Sequence, residues 1–276
     1  MESDTEGMSS AMTKHVPDHD VWPTIVQEAE RDAAAEPTLG GFLFESVLRH
    51  SSLMEALGTL LAHKLANPVV SSVTLRDLAF TAFERDPLIE ESVIADLQAT
   101  ITRDPATLGY SHPLLYFKGF HSVQAFRIAH HYWVTGRKTL ALFMQSRISE
   151  VFAVDIHPGA RIGRGIMFDH ATSVVIGETA VIEDDFSMLH EVTLGGTGKA
   201  GGDRHPKIGR GVMIGAGAKV LGNIRVGEGA KIGAGSVVLS DVPPRTTVAG
   251  VPAKIVSHNH EPFPALEMDQ RFGQAV

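Results

Sequence analysis

Every sixth residue from Ile156 is apolar: Ile156, Ile162, Phe168, Val174, Ala180, Phe186 and Val192. The series breaks there and resumes at Ile208 with Ile214, Val220, Val226, Ile232 and Val238. Hydrophobic residues make up 43% of the chain, so thirteen in step is on the order of a one in 10^5 event, before allowing for the choice of register and break. Small residues recur four positions later, at Ala160, Thr172, Ala218, Ala230 and Ser236, and glycine often follows the apolar position, as at Gly163, Gly209, Gly215, Gly227 and Gly233. An amphipathic helix repeats every 3.6 residues and a half-buried strand every second residue, and neither produces a six. A hexapeptide can form a short strand with its apolar residue inward, then a tight turn that glycine permits. Three such edges close a triangular coil. Stacked coils pair their backbones along the axis at about 4.8 Å each, so about four to five coils make a prism roughly 20 Å long. The sixteen-residue step from Val192 to Ile208 reads as one repeat plus a ten-residue insertion, with the loop at 195–206.

The rest of the chain has a different texture. Of its 27 glycines, 19 lie between Val151 and Gly250. Residues 1–20 are polar and acidic and read as a loose tail. From 21 to 150 the apolar residues fall at helical spacing, as in Phe42, Leu43, Val47 and Leu48, then Leu53, Leu57, Leu60 and Leu61. Breaks are expected at Pro68, Asp86-Pro87 and Asp104-Pro105, because the residue before proline resists the helical region. About six helices are expected, those of Leu115–Ser149 covering the start of the prism. The predicted organisation is therefore a tail (1–20), a helical domain (21–150), a repeat domain (151–250) and a C-terminal tail (251–276).

Charge and composition exclude several functions. The net charge of −8 argues against general nucleic-acid binding. There is no cysteine, hence no disulfide framework, thiolate metal site or cysteine nucleophile. No stretch approaches the roughly 18 consecutive apolar residues of a membrane span, and the N-terminus lacks the basic start and apolar run of a secretory signal. A cytoplasmic location is the expectation. GGTGKAGG is no phosphate loop: it lacks the earlier glycine and the Ser/Thr after Lys199, and it lies between strand repeats.

Three polar positions stand out. Asp155, Asp169 and His170 flank inward repeat positions. A hydroxyl is a poor nucleophile until a base takes its proton, and histidine is the usual base near neutral pH, especially when a carboxylate orients it. Asp155 and His170 are fifteen residues apart, close to one eighteen-residue coil, which places them on adjacent coils. The long insertion carries Asp203, Arg204 and His205, and arginine can grip a carboxylate bidentately. The repeat-region histidines His157, His170, His190 and His205 lack the close spacing of a zinc set, so no metal site is expected; His190 reads as a packed residue of the prism.

The strings VDIHPGARIGRGIMFDHATSVVIGETAVI, GGTGKAGGDRHPKIG and AGVPAKIV, with the helical half before them, resemble the serine O-acetyltransferases, a family of hexapeptide-repeat acyltransferases. The resemblance runs from about Val21 to Val256. It implies an α + β protein: an N-terminal α-helical domain, then a left-handed parallel β-helix. The handedness comes from the resemblance alone. It further implies transfer of the acetyl group of acetyl-CoA to L-serine, the first step of cysteine biosynthesis from serine, with His170 as general base and Asp155 as its orienter. It places Asp104, Asp169, Arg204 and His205 around the serine, and Gly196, Ala216 and Ala234 along the acetyl-CoA groove, with Lys231 and Lys254 near its phosphates. It also implies feedback inhibition by L-cysteine and a homotrimer or a dimer of trimers. In many relatives the C-terminus anchors the O-acetylserine sulfhydrylase; here the chain ends at Val276. The alternatives are an O-acetyltransferase of this fold acting on another hydroxyl acceptor, a non-catalytic assembly module, or a zinc enzyme.

Overall fold

The computed structural model describes residues 17–198, 201–259 and 262–271. Most of the expected N-terminal tail, and Val276 with the rest of the chain end, lie outside these. Helices α1 (Val21–Ala35), α2 (Gly40–Leu43), α3 (Leu53–Leu65), α4 (Ser72–Arg85), α5 (Leu88–Arg103), α6 (Ser111–Tyr116), α7 (Lys118–Val134) and α8 (Lys138–Phe152) form the first half. That is more than the six expected, because short α2 and α6 interrupt the connections. The breaks fall near the prolines: α4 stops one residue before Asp86-Pro87 and α5 one before Asp104-Pro105. Ser52 and Ser71 open α3 and α4 by accepting the backbone N–H three residues on.

Strand β1 (Val154–Ile156) begins one residue after α8, across Ala153. The strands then cycle through three faces. Face A stacks β1, β4 (Val174–Ile176), β7 (Thr193–Gly195), β10 (Lys219–Leu221) and β13 (Val237–Val238). Face B holds β2 (Arg161–Ile162), β5 (Val181–Ile182), β8 (Lys207–Ile208) and β11 (Arg225–Val226). Face C holds β3 (Met167–Phe168), β6 (Ser187–Met188), β9 (Met213–Ile214), β12 (Lys231–Ile232) and β14 (Thr246–Gly250), with β15 (Ala253–His258) folding back antiparallel on β14. All the other ladders are parallel, which is the prism of a parallel β-helix.

The register corrects the sequence reading in one respect. Ile156 pairs with Ile176 and Phe168 with Met188, so the first coil is two residues longer than eighteen. Met188 pairs with Ile214, whereas Ile208 pairs with Val226 in an ordinary eighteen-residue coil. The ten extra residues are thus split. Two enter between Phe168 and Ile176, and eight enter between Leu194 and Ile208. From 174 to 194 the stacked inward column is Ile176, Ile182, Met188 and Leu194, two places on from the predicted Val174, Ala180, Phe186 and Val192. Both sets are buried, because the small-residue position also faces the axis; this is why the slip was invisible in the pattern.

One continuous apolar core runs from α1 through α7 and α8 into the prism. Each fully buried Leu, Ile or Met contributes about 1.5–3 kcal/mol relative to exposure. Helix α7 meets the first coil backbone to backbone: a Cβ on Gly119 would lie 2.0 Å from the Phe168 carbonyl oxygen. The second tie is polar. Asp96 of α5, wholly buried, accepts from the Ile166 N–H at 2.8 Å, from Gln124 at 2.9 Å and from Arg127 at 2.6 Å. Arg127 in turn donates to the Gly163 carbonyl at 2.8 Å.

The tail is docked along face C. Phe263 lies over Gly211 with the Arg210 guanidinium 5.2 Å from its ring, and α9 (Pro264–Glu267) packs Ala265 against Leu189 and Met213. Among the described residues no helix is long and apolar enough to cross a membrane.

Removing Asp96 would leave Arg127 charged and buried without its partner, which typically costs about 3–5 kcal/mol. Asp96→Ala is therefore expected to lower the denaturation midpoint strongly. A midpoint within error of the parent would show that the buried pair does not tie the two halves together.

Candidate active site

Most of the candidate polar residues stand at corners of the prism, between strands, although Asp155 and Lys231 lie on strands β1 and β12. The corner between faces C and A (corner CA) opens with Asp169–Ser173, where the two-residue insertion lies. His170, Ala171 and Ser173 all adopt left-handed backbone (φ 57, 59 and 62). Each such non-glycine residue costs roughly 1–2 kcal/mol, and such strain gathers at functional sites. The turn throws the His170 ring outward, with 75% of its side chain exposed. Its Nε2 lies 3.7 Å from Asp169 Oδ1. His190, one coil below, meets it edge-on at 6.0 Å between ring centroids.

A cavity of about 390 Å³ separates this corner from the helical half. Asp104, at the end of α5, lines one wall and Asp169 with His170 the other; Phe117, Lys118 and Gly119 close it. Burial pushes the Asp169 carboxyl up from its ordinary value; His170 opposes the rise and the charge of Asp104 adds to it. A buried carboxyl with a second carboxylate close by makes a place where a small cation is welcome.

A second group gathers at the corner between faces A and B (corner AB), where the eight-residue insertion leaves the prism. Thr179 organises it. Its Oγ1 accepts the backbone N–H of Arg204 at 3.0 Å and of His205 at 3.1 Å, and lies 2.9 Å from His205 Nδ1. The Thr179 N–H also donates to His205 Nδ1 at 3.1 Å. Nδ1 is therefore the unprotonated atom, and the neutral ring carries its hydrogen on Nε2. The ring sits in space left by glycine: a Cβ on Gly177 would lie 2.1 Å from it. Arg204 donates to Glu178 Oε2 at 2.7 Å and to the Gly202 carbonyl at 3.0 Å. Burial pulls His205 below its ordinary value, helped by Arg204 and Lys207.

The sequence-derived residues are thus divided. Asp104, Asp169 and His170 converge on one cavity, while Arg204 and His205 stand at another corner beside Gly196. Asp155 and His170 share no hydrogen bond. Asp155 Oδ1 instead accepts from Gln145 at 2.7 Å, and the carboxylate next to the His170 ring is Asp169. Asp155 pairs in register with Val175 of the next coil, five residues after His170, in a coil of twenty residues where the sequence suggested eighteen. Ala216 and Ala234 stack on successive coils at corner CA, where the Gly235 N–H donates to the Ala216 carbonyl at 2.8 Å. Lys254 is exposed on β15. Lys231 is not free to meet a phosphate here: it is buried under the tail, its ammonium donating to the Arg271 carbonyl. Thr179, Glu178 and His190 were not assigned site roles from the sequence. Only the stacked register reveals that His190 lies one coil from His170.

Two family models match the chain: the N-terminal region of serine acetyltransferase over residues 21–125, and the bacterial transferase hexapeptide repeat over residues 205–240. The serine acetyltransferase of Escherichia coli K12 is 57% identical over 252 residues, covering 91% of this chain and 92% of that protein. A solved serine acetyltransferase in complex with cysteine superposes with a TM-score of 0.91 at 55% identity, covering 93% of this chain and all of that one. A Brucella abortus serine acetyltransferase in complex with coenzyme A gives 0.86 at 51%, covering 87% of this chain and 96% of that one.

A histidine held neutral in the fold binds fewer protons than the same residue unfolded. Its contribution to stability is present above its ordinary value of 6.5 and is lost as pH falls below that. His205 is therefore expected to titrate below 6.5 in imidazole nitrogen NMR, with the insertion loosening from Thr179 as it protonates. A midpoint at or above 6.5 would contradict the tautomer and the packing assigned to it.

Proposed function

The chain belongs to the serine acetyltransferase family, and from that premise we propose that it moves the acetyl group of acetyl-CoA to the hydroxyl of L-serine. The observation that carries the substrate reading is the cavity in which Asp104 and Asp169 face each other beside His170. The paired carboxylates suit the serine ammonium, and the hydroxyl then lies near the imidazole. Arg204 and the His205 Nε2–H suit its carboxylate.

These groups stand on different corners of one prism. One chain cannot close both around a single amino acid, so the proposed site lies between two copies. Corner CA of one subunit supplies Asp169 and His170 with the small-residue track Ala216 and Ala234, and its helical half supplies Asp104. Corner AB of the next supplies Gly196, Arg204 and His205. A closed ring of three prisms satisfies this at every interface, since each copy presents one of each corner.

In the proposed reaction His170 takes the hydroxyl proton on Nε2 as the serine oxygen attacks the thioester carbon. The tetrahedral intermediate collapses, the carbon–sulfur bond breaks, and the proton passes from His170 to the sulfur, giving O-acetylserine and CoA. With Nε2 working toward the substrate, Nδ1 is left for an orienting carboxylate. Asp155 takes that role once Gln145 releases it. The acetyl-CoA arm is narrow and needs a wall without side chains, which Ala216 and Ala234 provide; Lys254 remains available to its phosphates, and Lys231 becomes so only if the tail lifts. L-cysteine carries SH in place of OH on the same skeleton, so it competes for the same carboxylates and arginine and acts as an inhibitor.

Because the chain has no cysteine, free CoA can be read with a thiol reagent without background. Serine-dependent CoA release is expected. His170→Ala should lower kcat by about 10^2–10^4, the usual worth of a general base, and Asp104→Asn should raise the KM for serine. Release that depends on another hydroxyl acceptor and not on serine would overturn the substrate. Full activity in His170→Ala would overturn the base.

A further inference from the structure

The geometry points to Arg103 as a positioning residue for the substrate cavity, acting through Asp104, an inference that rests on the serine reading above. The reasoning starts from a single peptide group. Its carbonyl belongs to Gly165 and its N–H to Ile166. Arg103 Nη1 donates to that carbonyl at 2.9 Å, and Asp96 Oδ1 accepts from that N–H at 2.8 Å. Asp96 and Arg103 are seven residues apart on α5, two turns along one face. Helix α5 thus holds both polar ends of one peptide group in the first coil.

Arg103 does more with the same fork. Nη1 lies 3.1 Å from Ser187 Oγ and 3.3 Å from the Phe186 carbonyl, and Nη2 lies 3.4 Å from Asp185 Oδ1. The guanidinium therefore spans two coils at the corner between faces B and C. Its side chain is 3% exposed. Burial pulls its pKa down to about 10, partly offset by Asp185 and Asp96, so it stays charged at neutral pH. Ser187 Oγ in turn donates to the Ala265 carbonyl of the tail at 2.9 Å.

What this fork fixes is the width of the cavity. Asp104 is the next residue after Arg103 and ends α5 in extended backbone (φ −101, ψ 108), its carboxylate accepting from the Ala106 N–H at 2.8 Å. On the opposite wall, Gly165–Ile166 leads through β3 to Asp169 and His170. Anchoring Arg103 to Gly165 sets the separation of Asp104 from Asp169 and His170, the groups proposed to hold the ammonium and take the proton. Only a planar fork reaches these acceptors together; a lysine ammonium offers one point of attachment.

The test is steady-state kinetics of the full-length enzyme and its variants, varying serine and acetyl-CoA separately. Arg103→Lys is expected to raise the KM for serine about tenfold while changing that for acetyl-CoA less than about twofold. Asp104→Asn should raise the serine KM as well. The double variant should match Asp104→Asn alone, because Arg103 acts through Asp104. If Asp104→Asn raises the serine KM but Arg103→Lys does not, the positioning role falls and the serine site stands. If Asp104→Asn leaves it unchanged, the serine site falls and the positioning role with it. Additive effects in the double variant also overturn it. Should Arg103→Lys fail to fold, Asp185→Asn removes the Nη2 ion pair together with the Arg210 pair on the same carboxylate, and Arg210→Ala controls for the second; a serine KM raised about two- to threefold in Asp185→Asn but not in Arg210→Ala supports the role, and one unchanged, or raised equally in both, overturns it.

Discussion

The parallel ladder between coils is the constraint on which everything else rests. Each strand residue is tied by backbone hydrogen bonds to the residue one coil away, so the faces admit no insertions and no free choice of side-chain direction. Variation is confined to the corners. Both departures from the eighteen-residue coil occur there: two residues at corner CA, where His170 takes a left-handed conformation, and eight at corner AB, where Arg204 and His205 emerge. The rigid prism thus supplies two fixed platforms for mobile chemistry, and the helical half supplies a third wall through Asp104.

That third wall explains why a repeat domain carries so large a helical attachment. The two halves share a core, and three charged side chains, Asp96, Arg103 and Arg127, bond the backbone of the first coils at the corner between faces B and C. Burying such charges is expensive unless they are partnered, and backbone carbonyls and an amide of the coil supply several of those partners, while Arg103 Nε finds none. The result is a cavity whose opposite walls come from different halves but cannot slide.

Much of this was legible in the sequence. Period six pointed to the prism, and the Asp-Pro steps marked the ends of α4 and α5. The convergence of Asp104 with Asp169 and His170 came from the family resemblance rather than from any spacing. The exact coil length was not legible, because two inward positions per repeat are both small or apolar; Val174 and Ile176 satisfy the pattern equally well. Thr179 and His190 were unremarkable in sequence, because their importance arises from contacts across coils, with His205 and His170. The tail after Val256 breaks the repeat, yet 262–271 docks on face C, with Phe263 over Gly211 and Ala265 against Leu189 and Met213, contacts that a linear pattern does not display.

The central claim is that one site takes corner CA from one copy and corner AB from another. Mixed assemblies test it directly. His170→Ala chains lack the first corner and Arg204→Ala chains the second, and each is expected to be nearly inactive alone. Unfolded together in equal amounts and refolded, they should recover about a quarter of parental activity, because about one interface in four pairs two intact corners. Activity that stays at the level of the separate variants would mean that each chain builds its site alone, and the two-copy account would be wrong.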